Sequence, residues 1–384
     1  MKILITGGTG IIGGAVAKAA SGKGADVHII HRQAPTGKWK EINAVHITGD
    51  WFDDDFAKSV VSQGFDVIID TLIFDEKHMK RSADIVNGHC KQFIFISTDS
   101  VYPHPGDNVT EDSDNTGNVK WTYGLNKFKA EQYLKEHSSG YGFEWTVVRP
   151  TITFGETRIP VGFQARRNTY NLIDRLIKGK PVLRFDDPDS RHALCHDIVF
   201  GNAVSGLLLN ERSYGQCYHI SDDKAYTYGE IFSVIENILE VKGKYVHLSP
   251  ETLRRYTPFY EDMIYDKDPE FTLDNKKIRS VCPDVNFGCD MSQALSATIR
   301  HLEEQKDISV QDPEYDLLTD LILYKNAGSS DEEVRAYVNG FTDEYVRRLK
   351  CFDRDYVSGL IKQKIKDMLG PAYRTIKKSL RRKQ

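Results

Sequence analysis

The sequence predicts an α/β fold: a doubly wound parallel sheet, followed by a smaller α/β lobe and a helical C-terminal extension. Three observations carry that reading. Short apolar runs alternate with longer periodic segments over the first 150 residues. The runs are four to six residues long and continuously apolar, as expected of strands buried on both faces. The first of them ends in a glycine turn that opens an alanine-rich helical segment.

Met1-Lys2-Ile3-Leu4-Ile5 is the first strand, and Thr6-Gly7-Gly8-Thr9-Gly10-Ile11-Ile12-Gly13 is the turn behind it. Gly7 is free to take backbone angles closed to other residues. Gly10 lets a phosphate group approach the main chain, and Gly13 lets the helix pack close to the strand. The first N–H groups of that helix then face an anion. Further strands are expected at Ala25–His31, Ala44–Thr48, Asp66–Asp70, Gln92–Ser97 and Glu144–Arg149. Helices fall between them at Gly14–Ser21, Asp54–Ser62, Lys77–Asn87 and Tyr123–His137. Gly and Pro thicken around 150–162 and 181–190, where the sheet hands over to a looser region. His196–Asn210 reads as a helix returning to the first domain, Cys217–Ile220 as a strand, and Thr227–Leu239 and Ser292–Glu304 as amphipathic helices.

Beyond about residue 305, four segments read as helices: Asp316–Tyr324, Asp331–Tyr337, Thr342–Leu349 and Tyr356–Leu369. The last stretch, Tyr373–Gln384, holds Arg374, Lys377, Lys378, Arg381, Arg382 and Lys383 with no acid. Two readings stand for it: a solvated end, or contact with an anionic membrane surface or partner. The domain division expected is 1–155, with 192–220 returning to it, then a lobe at 156–305 and the extension at 306–384.

A chain of 384 residues, 40% hydrophobic and 28% charged with a formal net charge of −4, has the composition of a globular protein with about two domains. Its mild acidity supplies no overall field for nucleic acid. Six cysteines without a CxxC pair argue against a zinc ribbon and against a disulfide scaffold. No apolar run approaches the ~20 residues needed to span a bilayer. The chain enters a strand at once, so no signal peptide is expected. A cytoplasmic protein is the expectation, at the inner membrane surface if the tail binds there.

Thr98, Tyr123 and Lys127 are the residues most suited to chemistry. Thr98 lies just past the fifth strand, at the carboxyl end where open parallel sheets bind ligands. Tyr123 and Lys127 are one helical turn apart and share a helix face. A second Tyr-x-x-x-Lys, at Tyr373 and Lys377, lies in the basic tail, so position rather than pattern singles out the first.

Taken together, TGGTGIIG, ISTDSVY around Thr98, YGLNK at Tyr123–Lys127, Arg149-Pro150 with Phe154-Gly155, and RHALCHDIV at Arg191–Val199 resemble the short-chain dehydrogenase/reductase superfamily, in its extended or a related atypical branch. The resemblance spans roughly residues 1–305. It implies a Rossmann-type first domain with Tyr123 as acid/base, Lys127 as the partner that lowers its pKa, and Thr98 as the hydroxyl orienting the substrate. It also implies cofactor contacts from Gly7, Thr9, Gly10, Ile11, Ile12 and Gly13, from Arg32 after the second strand, from Asp50 and Trp51 after the third, and from Thr71 after the fourth. Asp70-Thr71-Leu72 departs from the small apolar or Asn-containing turn common at that place. Physical chemistry agrees with the proposed roles. Tyrosine, with a reference pKa near ~10, needs nearby positive charge to act as a base at neutral pH.

The second strand ends Ile30-His31-Arg32-Gln33 with no acid to accept from a ribose 2′-hydroxyl. Arg32 has the fork geometry to pair with a 2′-phosphate, which favours NADP over NAD, or it stacks on adenine instead. Thr98-Asp99-Ser100 lacks the glutamate of the related 4,6-dehydratases, leaving alcohol/ketone interconversion: epimerisation or reduction of a keto sugar. Arg166, Arg167 and Arg191 are candidates to hold a nucleotide diphosphate, or else surface charge. The expected partner is a nucleotide-sugar substrate, with a homodimer implied by analogy and polysaccharide biosynthesis the setting that the tail suggests. A non-catalytic or RNA-binding protein on the same fold would have lost Tyr123 or Lys127 and gained a basic, aromatic stripe. A reductase of a small non-nucleotide carbonyl would have an arginine-poor lobe.

Overall fold

Alternate residues of the first strand, β1 (Lys2–Thr6), point into two different cores, and that alternation defines the architecture. A computed structural model describes residues 1–8, 10–33, 42–103, 106–113, 116–164, 170–185, 187, 189–250 and 263–304, with scattered positions between 316 and 336. Contacts divide the chain into two units, 1–311 and 312–384. The basic tail, most of the helices expected beyond 305, Thr9, Arg166 and Arg167 lie outside the described residues.

Ile3 and Ile5 join one apolar cluster, with Val16, Ala17 and Ala20 of helix α1 (Ile11–Gly22) and Phe200, Ala203 and Val204 of α6 (Asp197–Leu207). Leu4 joins the opposite cluster, with Ala57 and Val60 of α2 (Asp54–Val61), Met79 and Ala83 of α3 (Glu76–Val86), and Ala130 and Leu134 of α4 (Thr122–His137). Both faces of the sheet are therefore covered, which explains why its strands read as unbroken apolar runs. Each fully buried Leu or Ile contributes roughly 1.5–3 kcal/mol over its exposed state.

The other strands of that sheet are β2 (Asp26–His31), β3 (Val45–Thr48), β4 (Val67–Asp70), β5 (Gln92–Ile96), β6 (Glu144–Pro150) and β11 (Gln216–Ile220). Their order is β11-β6-β5-β4-β1-β2-β3, with every pairing parallel. This is a Rossmann-type doubly wound sheet. The strand order reverses between β1 and β4, so a crevice opens at their carboxyl ends. Up to residue 304, the expected strand and helix boundaries lie within three residues of those observed.

Outside that sheet the strands form short pairs. β7 (Ile152–Phe154) runs beside β10 (Leu194–His196), β8 (Pro181–Phe185) beside β13 (Lys244–Leu248), and β9 (Arg191–His192) beside β12 (Tyr226–Thr227). The remaining helices are α5 (Tyr170–Ile177), α7 (Tyr228–Leu239), α8 (Lys276–Val281) and α9 (Met291–Glu304); α8 packs on the sheet, with Ile278 and Val281 in the cluster of Ile3 and Phe200. Thr227 and Glu230 close a reciprocal capping box at the start of α7. A single turn of π-helix at Met263–Lys267, with no signal in the sequence, carries Asp266 and Lys267. Among the described residues no helix is long and apolar enough to cross a membrane.

Candidate active site

Gly7 sits at φ +68°, closed to most side chains, and a Cβ there would meet Thr71 Oγ1 at 2.4 Å. Thr71 is locked in place because its hydroxyl donates to the Thr6 carbonyl at 2.7 Å. A Cβ on Gly13 would lie 2.7 Å from the Gly7 carbonyl, so α1 presses onto the turn. At Gly10, the residue before α1, a Cβ would meet nothing nearer than 3.8 Å. The main chain there borders open space at the head of a helix with no side-chain cap. These features fit a dinucleotide pyrophosphate.

Among the other residues expected at a cofactor, Ile11 and Ile12 are half-buried at the start of α1, while Arg32 and Asp50 are exposed after β2 and β3. Trp51, also expected near the cofactor, has a structural side-chain role. Its side chain is buried, and its indole N–H donates to Asp70 Oδ2 at 3.1 Å. It is a core residue, which leaves any adenine contact at this turn to the main chain and its neighbours. Asp70 also accepts from the Thr6 and Ser82 hydroxyls and the Leu72 N–H, at 2.7, 2.8 and 2.8 Å. The departure noted at Asp70-Thr71-Leu72 thus places a fully satisfied buried acid beneath the cleft. Arg191 is largely exposed, and its guanidinium donates to the Ala225 carbonyl at 2.5 Å beside Glu230.

Thr98, Tyr123 and Lys127 do converge. β5 ends at Ile96, and Thr98 caps the short turn Asp99–Val101, accepting from the Ser100 N–H at 3.2 Å. α4 starts against that turn. A Cβ on Gly124 would lie 2.3 Å from the Ser100 carbonyl, so glycine beside Tyr123 is what allows the approach. The Thr98 hydroxyl lies near enough to the Tyr123 phenol to favour its ionised form. Lys127 Nζ donates to the Ile96 carbonyl at 2.9 Å and lies 6.0 Å from the Tyr123 ring centroid.

Burial dominates the electrostatics. It raises the Tyr123 phenol, the charges of Asp266 and Asp99 raise it further, and the Thr98 hydroxyl opposes them. Burial pushes Lys127 down to about 7, against the pull of Asp70 and Glu131. Asp99 is raised to about 7, by burial and then by Asp266. In the protein alone, the tyrosine and lysine are thus both biased toward their neutral forms. Lys127 has a linked effect on stability. Its folded pKa lies below the unfolded value, so the unfolded chain binds more protons between about pH 7 and pH 10.5. The penalty is complete below pH 7 and relieved as pH rises through that window. Lys127→Met is therefore expected to raise the melting temperature more at pH 6 than at pH 9, as read by paired thermal scans against wild type.

Several functional neighbours escaped the sequence reading. One turn beyond Lys127, Glu131 is fully buried and takes a bidentate contact from Arg149, at 3.0 and 2.5 Å. The Tyr123, Lys127, Glu131 spacing of four residues could have flagged it. Asp266 accepts from the Ser100 hydroxyl at 2.8 Å across a separation of 166 residues, which no local pattern reveals. A separate cavity of about 720 Å³ opens between α1, α6 and α9, lined by Lys18, His196, Asp197 and Gln293 among others; Thr98, Tyr123 and Lys127 do not border it.

A doubly wound sheet with a glycine turn at β1, and a Thr/Tyr/Lys set at the end of β5, defines a chain of the short-chain dehydrogenase/reductase superfamily, in its extended branch. More closely, the chain belongs to the NAD dependent epimerase/dehydratase family, whose model matches residues 3–199, slightly more than half of its length. A relative from Methanocaldococcus jannaschii, provisionally named UDP-glucose 4-epimerase, is 24% identical over 274 residues, covering 65% of this chain and 86% of that one. Among solved structures, the epimerase Mth375 of Methanothermobacter thermautotrophicus superposes with a TM-score of 0.65 at 16% identity, over 80% of this chain and 93% of that chain. The UDP-glucuronic acid 4-epimerase of Bacillus cereus, in complex with UDP-glucuronic acid and NAD, gives 0.64 at 18% identity, over 79% and 99%.

Proposed function

We propose that the protein is an NAD(H)-dependent nucleotide-sugar epimerase. The observation that carries the reading is the meeting of Thr98, Tyr123 and Lys127 at the carboxyl end of β5, in the sheet whose first turn fits a dinucleotide. A dinucleotide held at the Gly7–Gly13 turn would supply reversible hydride chemistry at a sugar carbinol. Tyr123 takes the hydroxyl proton and gives it back, Thr98 orients the sugar oxygen, and Lys127 holds the helix turn and adds positive charge when protonated. Arg191 and the lobe around it are proposed to receive the nucleotide diphosphate.

NAD(H) is preferred because the B. cereus neighbour was solved with NAD; the NADP preference drawn from Arg32 has no such support. A keto-sugar reductase is the second reading, favoured by the absence of an acid at the end of β2. Titration of purified protein with NAD, NADH, NADP and NADPH, followed by a panel of UDP-hexoses and UDP-hexuronates, separates the two. Tightly held NAD(H) with interconversion of 4-epimers is the expected result. Net consumption of NADPH favours the reductase, and absence of dinucleotide binding removes both.

A further inference from the structure

Among the described residues, no carboxylate is ion-paired with Lys127, whose Nζ donates to the Ile96 carbonyl. The titratable groups that face it are Asp70 from β4, and Tyr123 and Glu131 from its own helix. Both acids are committed elsewhere. Asp70 accepts from two hydroxyls, an indole and a main-chain N–H, and Glu131 is held by Arg149 and Ser97. Three aromatic rings surround Nζ instead. Their centroids lie 4.9 Å away for Phe95 of β5, 5.4 Å for Phe74 and 6.0 Å for Tyr123, all within cation–π reach. Phe95 is fully buried, whereas Phe74 is 42% exposed, so Phe74 is the outer wall of the group. It lies in the connection after β4, directly behind Asp70-Thr71-Leu72, and precedes Asp75, the cap of α3. Its ring meets that of His78 in a T-shaped contact at 6.1 Å, and Asp75 fixes His78 at 2.9 Å. A residue in that place often staples its own helix by packing on the fourth residue in, here Met79. Phe74 reaches across to α4 as well.

We propose that Phe74 is a positioning residue: with Phe95 and Tyr123 it forms an aromatic cage that keeps Lys127 protonated in a buried site. The catalytic use of that charge rests on the epimerase reading above; the cage itself does not. A ring face carries partial negative charge, so it attracts an ammonium without offering an atom that could take its proton. An ammonium has three N–H donors and Ile96 takes one, which leaves two that the rings compensate without consuming. Those two are the donors available to the oxygens of a ligand. Because Tyr123 is both a wall of the cage and the candidate base, the charge is held beside the phenol whose ionisation it favours. Burial draws Lys127 down to about 7, so any further fall leaves most of the population uncharged at neutral pH. The outer ring is therefore placed where its loss has a functional cost.

Phe74→Leu keeps the apolar cover and removes the ring face. The Cε chemical shift of Lys127, followed through a pH titration of the full-length protein with isotope-labelled lysine, reads the charge without any substrate. Its signal is assigned by its absence from Lys127→Met. The cage predicts a Lys127 pKa lower in Phe74→Leu by about 0.4–1.5 units, the strength of one cation–π contact expressed as a shift. A smaller fall, no change, or a rise from admitted water overturns it. A Phe74 that only staples α3 gives one of those results, since leucine staples as well. Fluorinated phenylalanines at position 74 keep the shape of the ring and strip its negative face, so the Lys127 pKa should step down with added fluorine. That series decides the matter if Phe74→Leu does not fold, and a flat series overturns the cage. Where wild type turns over a 4-epimer pair, the alkaline limb of kcat in Phe74→Leu should move down by the same amount as the Lys127 pKa. A limb that stays in place removes the catalytic part of the proposal. Should no sugar in the panel react, the epimerase reading fails, and the titration still decides the cage.

Discussion

Tyr123→Phe is expected to lower kcat by about 10²–10⁴-fold while leaving the fold and the dinucleotide affinity as they are. The substitution removes one oxygen and keeps the ring, so the packing of Tyr123 against Trp121, at 4.9 Å between centroids, survives. What disappears is the α4 hydroxyl that stands beside Thr98. Burial together with Asp266 and Asp99 raises the phenol pKa, so in the protein alone it stays protonated at neutral pH. A positive nicotinamide ring and a protonated Lys127 both oppose that shift, so activity should climb with pH until Lys127 loses its proton. The measurement is a steady-state profile beside a fluorescence titration with NADH. Retention of full kcat by Tyr123→Phe would remove the proposed chemistry while leaving the family assignment intact.

Arg149→Met is expected to cost about 3–5 kcal/mol of folding stability, the range for stranding one member of a buried ion pair. Arg149 and Glu131 are each fully buried, and Glu131 also accepts from Ser97 at 2.6 Å. Burial alone would raise the Glu131 carboxyl, but Arg149 holds it below its ordinary value. The guanidinium donates as well to the Tyr102 hydroxyl at 3.0 Å, and that hydroxyl is 3.0 Å from His219 Nδ1. The opposite ring nitrogen of His219 meets the Asp274 carbonyl at 2.8 Å, so the network joins β5, β6, α4 and β11. Removing the arginine leaves an uncompensated carboxylate in the core, with Lys135 at 3.6 Å as its nearest remaining cation. Replacing both partners by apolar residues, Glu131→Leu with Arg149→Met, should recover more than half of the loss. Urea midpoints of the single and double variants provide the check. A single-variant loss below about 1 kcal/mol would mean that the pair is not holding the domain together.

The contrast between these two residues shows what a sequence makes legible. Gly7, Gly13 and Tyr123 declare themselves because backbone geometry ties their chemistry to nearby neighbours: strand, turn and helix are consecutive. Asp266 is one of 55 acidic residues, and nothing near it in the chain distinguishes it from a solvated charge. Its meaning comes from a π-turn that sets it against Ser100, and turns of that kind leave no periodic signature. Trp51 has a side-chain role that its place in the chain does not announce. Its place after β3 suggests a ligand contact, but its indole N–H satisfies a buried carboxylate that only the fold brings within reach. Glu131 and Arg149 sit in between, since one lies at helical spacing from Lys127 and the other on an apolar strand.

The placement of β11 has a consequence for how the protein can be cut. The segment matched by the family model ends at residue 199, yet β6 is completed only by Gln216–Ile220, which supply five paired positions along its outer side. A recombinant fragment stopped at 199 would present β6 as a bare edge, with its outward N–H and C=O groups open to any other strand. That edge is apolar and buried in the intact chain, so such a fragment is a template for self-association. Any piece able to behave as a monomer must therefore extend at least through Ile220, and β9 and β8, which lie before it, find their partners only at Tyr226–Thr227 and Lys244–Leu248.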